Sequence, residues 1–185
     1  MKKFLTLKNI VLCGAALLAL IVFFLSFAVQ ARVTGVNLGN RMLIIFDNSV
    51  WGATKGRYYI DGEFAMNMAL KGGVYALVLV GFILVLVGAI GAVLVGLLVK
   101  KPFAKWIVLC FAVLVLVGGV FQFFGGNAAY TAYAKYAGCT FEQAKNYFES
   151  TNAKCNPGPL GIVLAILSIL AGAGIGVSAL LPEKK

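Results

Sequence analysis

The stretch Gly73–Val99, GVYALVLVGFILVLVGAIGAVLVGLLV, decides the fold. It runs for 27 residues without a single Asp, Glu, Lys, Arg or His. A helix needs about 20 apolar residues to cross the roughly 30 Å hydrocarbon layer of a membrane. An isolated strand would leave backbone groups unpaired in lipid, and barrel strands are shorter and alternate in polarity. The stretch therefore predicts a transmembrane helix that is long enough to tilt.

Three further runs lack charged residues in the same way: Ile10–Val29, Trp106–Gly126 and Leu160–Leu181. Of the 185 residues, 62% are hydrophobic and 12% charged, against about 25% charged in soluble domains. So much apolar surface cannot be hidden in one small core, which excludes a soluble enzyme domain, and disordered chains are poor in these residues. The sequence predicts an all-α integral membrane protein, a four-transmembrane-helix antiparallel bundle in one membrane domain, residues 1–185. The predicted spans are 10–30, 73–99, 106–126 and 160–181, joined by loops 31–72, 100–105 and 127–159.

The first run also has features of a signal peptide. Lys2, Lys3 and Lys8 form a basic start, and Val29-Gln30-Ala31 is an acceptable cleavage site. The apolar stretch of 20 residues exceeds the roughly 7–15 of a signal core. We expect a retained helix, and cleavage of residues 1–31 is the alternative.

Basic residues are unevenly distributed among the connections. Segments 1–9, 100–105 and 182–185 hold eight Lys in 19 positions, whereas 30–72 and 127–159 spread eight Lys and Arg over 76. Cytoplasmic segments are enriched in Lys and Arg. We therefore expect a multi-pass plasma-membrane protein with both termini cytoplasmic, of a composition typical of bacteria. The net charge of +10 then reflects topology and attraction to anionic lipid, and no nucleic-acid partner is expected.

The first outside loop carries strand signals. Asp61-Gly62 lies between Arg57–Ile60 and Glu63–Met66, and Asp-Gly between β-prone segments favours a hairpin. Val33–Leu38 and Met42–Phe46 are further strand candidates. The pattern predicts a small extracytoplasmic antiparallel sheet of three or four strands.

The second outside loop holds two cysteines, Cys139 and Cys155. Disulfides persist outside the cytoplasm, so we expect the two to be bridged. The bridge would close a loop of about 16 residues and contribute roughly 3 kcal/mol.

A short helix is predicted just after Cys139. Thr140-Phe141-Glu142-Gln143 fits a capping box. Phe141, Ala144 and Phe148 recur at helical spacing. We expect an amphipathic helix over 141–150, tied down by the bridge.

Small residues recur four apart in two of the runs. Such spacing lets helix backbones approach closely, because packing rather than hydrophobicity drives association in lipid. We expect contacts within the bundle, and a surface for a second protein is the alternative. The residues are Gly88, Ala92 and Gly96 in one run and Gly172 and Gly176 in another.

No reactive constellation can be assembled from the sequence. The chain has no histidine, and no charged residue lies within any run. Four-span disulfide-forming enzymes use Cys-x-x-Cys, and small multidrug transporters use a membrane-embedded carboxylate; this sequence has neither. We assign no catalytic, cofactor-binding or metal-ligating residue and expect a protein that is not an enzyme.

The order of parts resembles claudin-like tetraspans, in topology only. Both have cytoplasmic ends, a larger strand-rich first outside loop and a shorter second one. Claudins carry Trp, Gly-Leu-Trp and two cysteines in the first loop, whereas here only Trp51-Gly52 is comparable and that loop has no cysteine. The adhesive or pore-forming role of claudins is therefore not implied.

These observations favour a non-catalytic interaction, scaffold or accessory subunit that acts through its outside loops and small-residue helix faces. Protection of the membrane from an external toxin is one form of this hypothesis. The expected partners are the bilayer and another membrane protein or a second copy. The alternatives are a transporter or channel component and a membrane-bound enzyme that uses the outside loops. The candidate interaction residues are Trp51, Tyr58, Tyr59, Phe64, Phe141 and Phe148.

Overall fold

Four long apolar helices dominate the structure, which is a computed structural model. All four are long and apolar enough to cross a membrane, which confirms a multi-pass membrane protein. The helices are α1 (Leu7–Leu25), α2 (Ala76–Leu98), α3 (Ala104–Gln122), the short α4 (Phe141–Ser150) and α5 (Pro159–Leu180). The structure describes residues 6–27, 31–36, 42–48, 57–60, 63–67, 76–99, 101–127, 130, 131, 134, 138–150, 154–157 and 159–182.

Local chemistry sets where these helices begin. Thr6 Oγ1 accepts a hydrogen bond from the Asn9 N–H at 3.3 Å, as an N-cap residue does, so α1 starts ahead of its charge-free run. Its first turn then includes Lys8, whose long stem lets the charge reach the interface. Pro159 opens α5, where its missing N–H has no intrahelical partner to lose.

The chain forms two compact units, and the first is helical: residues 1–25, 80–121 and 164–185. Here α2 packs antiparallel to α3, because Gly81 lies against Gly118 whereas Gly88, further along α2, lies against Val115, earlier in α3. In the same way Gly119 of α3 meets Ala165 of α5, and Leu116 meets Gly172. Leu12 and Ala15 of α1 contact Gly96 and Gly174. The four helices thus close into a ring.

The core of this unit is made of small side chains. Seven of the twelve residues in its buried cluster are alanines, Ala92 and Ala171 among them. Large side chains such as Leu94 and Leu170 lie on the outside and are more than half exposed. Close contact inside and bulky apolar groups outside are what a bundle in lipid requires.

The second unit, residues 26–79 and 122–163, contains a five-stranded sheet. Its strands lie in the order β4-β3-β2-β1-β5, and every described neighbouring pair is antiparallel. The strands are β1 (Ala31–Val36), β2 (Met42–Asn48), β3 (Arg57–Ile60), β4 (Glu63–Asn67) and β5 (Lys154–Pro157). β3 and β4 flank Asp61-Gly62, which itself lies outside the described residues.

The fifth strand comes from the second loop, for which the sequence indicated a helix and a bridge but no strand. Lys154–Pro157 pairs with Ala31–Thr34 of β1. This pairing joins two loops that the whole of α2 and α3 separates along the chain.

The predicted disulfide is not formed. Cys139 is a free, half-buried thiol. Its backbone N–H is bonded to Ala134 O at 2.9 Å, between the end of one helical segment and the start of α4. Cys155 instead sits in β5, opposite Val33. The two cysteines thus lie in different elements, the turn before α4 and strand β5. The expectation of a disulfide-tied helix is therefore corrected.

Candidate functional site

The chain turns sharply into α4. Gly138 has φ +66°, and the Cys139 N–H donates to Ala134 O at 2.9 Å. A residue with positive φ, followed by a residue whose N–H donates to the carbonyl five positions earlier, forms a Schellman motif, which ends a helix. Glycine adopts the left-handed conformation without the penalty of a Cβ. The chain is thus redirected within a few residues.

The capping box at the start of α4 is confirmed. The Thr140 N–H donates to Gln143 Oε1 at 2.9 Å, and the Gln143 N–H donates to Thr140 Oγ1 at 3.2 Å. The predicted helix over 141–150 is also confirmed, as Phe141–Ser150. Reciprocal bonds of this kind satisfy two N–H groups that would otherwise have no partner in the first turn.

One face of α4 packs inside its own unit. Ala144 is fully buried, and the Phe141 ring meets Tyr130 edge to face, with centroids 5.7 Å apart at 87°. Such a pair contributes about 0.5–1.5 kcal/mol beyond area burial. Phe141, a candidate interaction residue, therefore lies half-buried against Tyr130 and anchors α4.

The exposed side of α4 carries an ion pair, and an exposed ring lies at its border with the buried face. Lys145 and Glu149 form an ion pair at 3.8 Å, and Tyr147 is 50% exposed. The sequence analysis missed Tyr147. Its position three residues after Ala144 was the available signal, since it places the ring at the edge of the buried face.

The sheet ends in two edge strands, β4 and β5. An edge strand presents backbone N–H and C=O groups to which an extended peptide can add. Of the other candidate residues, Phe64 lies in the edge strand β4, and Tyr58 and Tyr59 lie in the neighbouring strand β3. Their side chains, that of Phe148 in α4 and all of Trp51 lie outside the described part of the chain.

The small-residue faces contact helices of the same chain. A Cβ built on Gly88 would lie 2.6 Å from Val115 Cγ2 and 2.9 Å from Phe111 O. One built on Gly172 would lie 3.0 Å from the Leu116 backbone nitrogen. All three distances are shorter than ordinary contact, so these two glycines sit at close approaches between helices.

The remaining three residues of these faces are Ala92, Gly96 and Gly176. Ala92 is fully buried. A Cβ on Gly96 would meet the flexible end of Leu12, and one on Gly176 would lie 3.7 Å from Ala112 Cβ, an ordinary distance.

The tightest approach against backbone lies at a glycine the sequence analysis did not single out. A Cβ on Gly118 would lie 2.5 Å from Gly81 O. Gly81 stands seven residues, or two helical turns, before Gly88 and so shares its face. A search for small residues seven positions apart, as well as four, would have added Gly81 to the predicted packing face.

Polar groups buried in α5 are satisfied by their own helix. Ser168 Oγ donates to Leu164 O at 2.8 Å, and Ser178 Oγ donates to Ile175 O at 2.6 Å. Serine hydroxyls commonly bond back to the preceding turn in this way. These two hydroxyls thus donate their hydrogen bonds within α5. Within the described residues there is also no cluster of three His, Cys, Asp or Glu that could hold a metal ion.

Comparison with known proteins adds no family to this picture. The sequence matches no protein-family model, and no curated protein is significantly similar to it.

Proposed function

We propose that this protein is a non-catalytic four-span interaction, scaffold or accessory subunit of the plasma membrane. Its helices anchor it, and the loops that carry the sheet and α4 provide the recognition surface. The pairing of β1 with β5 supports the proposal most directly. Loops that served only as connections would not need to form one sheet from segments 120 residues apart, as Thr34 and Lys154 are.

A folded surface of this kind favours binding. Association loses less free energy to ordering when the surface is already arranged before the partner arrives. The hydrogen bonds at Cys139 and Thr140 fix the turn into α4 and its first turn. The exposed Tyr147 ring then offers an amphipathic group of the type enriched in protein interfaces.

The distribution of basic residues supports an outside location for the sheet and α4. Charge-poor spans leave no embedded carboxylate or ammonium of the kind that ion and proton pathways use. The expected partner is therefore another membrane protein, a second copy, or an external protein such as a toxin, in contact with the outside loops.

Site-specific photo-crosslinking in membranes tests this function. A photoreactive phenylalanine analogue replaces Tyr147, and a matched control replaces Leu170, which is 56% exposed in the middle of α5. Expected is a protein adduct of defined mass at position 147 and lipid adducts alone at position 170. Adducts only to lipid or solvent at both positions, in cells grown under several conditions, would refute a recognition role for α4.

A further inference from the structure

A pocket of about 480 Å³ opens at one end of the helical unit, where α1 and α3 begin and α2 and α5 end. Its volume falls within the roughly 300–1,000 Å³ of small-molecule sites. Among the described residues, three lysines line it: Lys8, Lys101 and Lys105. The described lining of the pocket is therefore basic.

The rest of the lining is apolar. Val99, Val108 and Leu181 are among these apolar residues. None of the described lining residues carries a carboxylate. Glu183, which follows Pro182 in the sequence, lies outside the described residues. The described lining thus combines basic side chains with apolar residues.

Two of the lysines are associated with neighbouring aromatic rings. Lys101 Nζ lies 5.8 Å from the centroid of Phe103, and Lys105 Nζ lies 5.4 Å from that of Trp106. A cation over an aromatic face is attracted by the ring quadrupole. Trp106 is 62% exposed, as expected for a residue at the membrane interface. Each ring therefore attracts the ammonium group beside it.

Helix ends do not by themselves make this site positive. Two helices begin here and two end, so their dipoles, positive at N-termini and negative at C-termini, largely offset one another. The positive potential comes from the lysines. Lysine binds phosphate as a compact point charge with three donors.

We propose that this pocket binds the phosphate group of an acidic membrane lipid. The lysine ammonium groups take the headgroup phosphate, and the apolar walls take the glycerol and the first carbons of an acyl chain. Basic pockets between transmembrane helices bind anionic headgroups in this way. Free inorganic phosphate shares the charge but not the apolar part, so the two sources separate experimentally.

Native mass spectrometry of the full chain in mild detergent tests the site. The protein is incubated with phosphatidylglycerol, with phosphatidylcholine of the same acyl chains, or with inorganic phosphate. The variant K101Q/K105Q removes two pocket charges, and K101R/K105R preserves them. K145Q removes one charge from α4, in the other unit, and serves as the control.

Wild type should retain phosphatidylglycerol in preference to phosphatidylcholine. K101Q/K105Q should bind phosphatidylglycerol about 30-fold more weakly, since each basic group near an anionic surface contributes about a factor of five. K145Q should bind phosphatidylglycerol as wild type does. K101R/K105R should retain most of the affinity. Retention by the arginine variant would show that the glutamine variant loses binding because it loses charge and not because it misfolds.

Equal retention of phosphatidylglycerol by wild type and K101Q/K105Q would overturn the proposal, as would equal binding of phosphatidylcholine. Loss of binding in K101R/K105R as well as in the glutamine variant would also overturn it, because charge would then not be the cause. Binding of inorganic phosphate with no preference for phosphatidylglycerol would overturn the lipid as the source.

Discussion

Replacing Gly88 by alanine probes a part of the proposed packing face that lies against the backbone of a neighbouring helix. The new Cβ would lie 2.6 Å from Val115 Cγ2 and 2.9 Å from Phe111 O, whereas ordinary contact begins at 3.4 Å. Phe111 O belongs to the backbone of α3 and must retreat by about 0.5 Å, the difference between 2.9 Å and 3.4 Å. Side-chain rearrangement cannot relieve that contact, so α2 and α3 must move apart.

The cost follows from two opposing contributions. Overpacking a well-packed interior costs about 1–3 kcal/mol. Replacing a helical glycine by alanine returns up to about 1 kcal/mol, because alanine restricts the unfolded chain and favours the helix. We expect a net destabilisation of about 1–2 kcal/mol, or a melting temperature lower by about 2–8 °C for a chain of this size.

Two other glycines provide matched controls. Gly14→Ala in α1 adds the same methyl group where no atom lies within 4 Å, and Gly176→Ala adds it at 3.7 Å from Ala112 Cβ. Both should melt at or above wild type. Thermal unfolding of the purified chain in mild detergent, followed by circular dichroism, measures all three variants.

A melting temperature for Gly88→Ala equal to those of the two controls would refute the packing argument. If the variant then also lost a co-purifying protein, the face would be a docking surface. If both the melting curve and the complex stayed intact, the face would contact lipid alone.

Three further outcomes are expected. Cys139 should react with a maleimide in the folded protein without reductant. If it reacts only after reductant is added, Cys139 is in a disulfide and the prediction is wrong. Thr140→Ala should destabilise α4 by about 1 kcal/mol by removing its N-cap, measured as faster amide hydrogen exchange in that helix; unchanged exchange would contradict the capping role. In a background without native cysteines, an impermeant thiol label should reach Tyr147→Cys but not Phe103→Cys in intact cells. The two side chains are 50% and 48% exposed, so exposure is matched and the reverse pattern would invert the topology.

The spans and the α4 cap were predictable because their causes are local. The charge-free run Leu160–Leu181 and the helix Pro159–Leu180 differ by one residue at each end. The capping box at Thr140 needs only the residue types three positions apart. The contact of Phe141 with Tyr130, by contrast, was not predicted, since nothing in the segment of Phe141 shows that Tyr130 lies beside it.

The order of residues along the chain is thus sufficient to establish four apolar helices and the asymmetry of basic charge. Lipid imposes these features on each segment separately, because every span must be apolar and satisfy its own backbone. Only the tertiary structure decides three other features. They are the pairing of β5 with β1, the free thiol of Cys139, and the tight contact at Gly118 rather than at Gly176. Each depends on which distant segment comes to lie opposite, and neither residue type nor spacing within one segment carries that information.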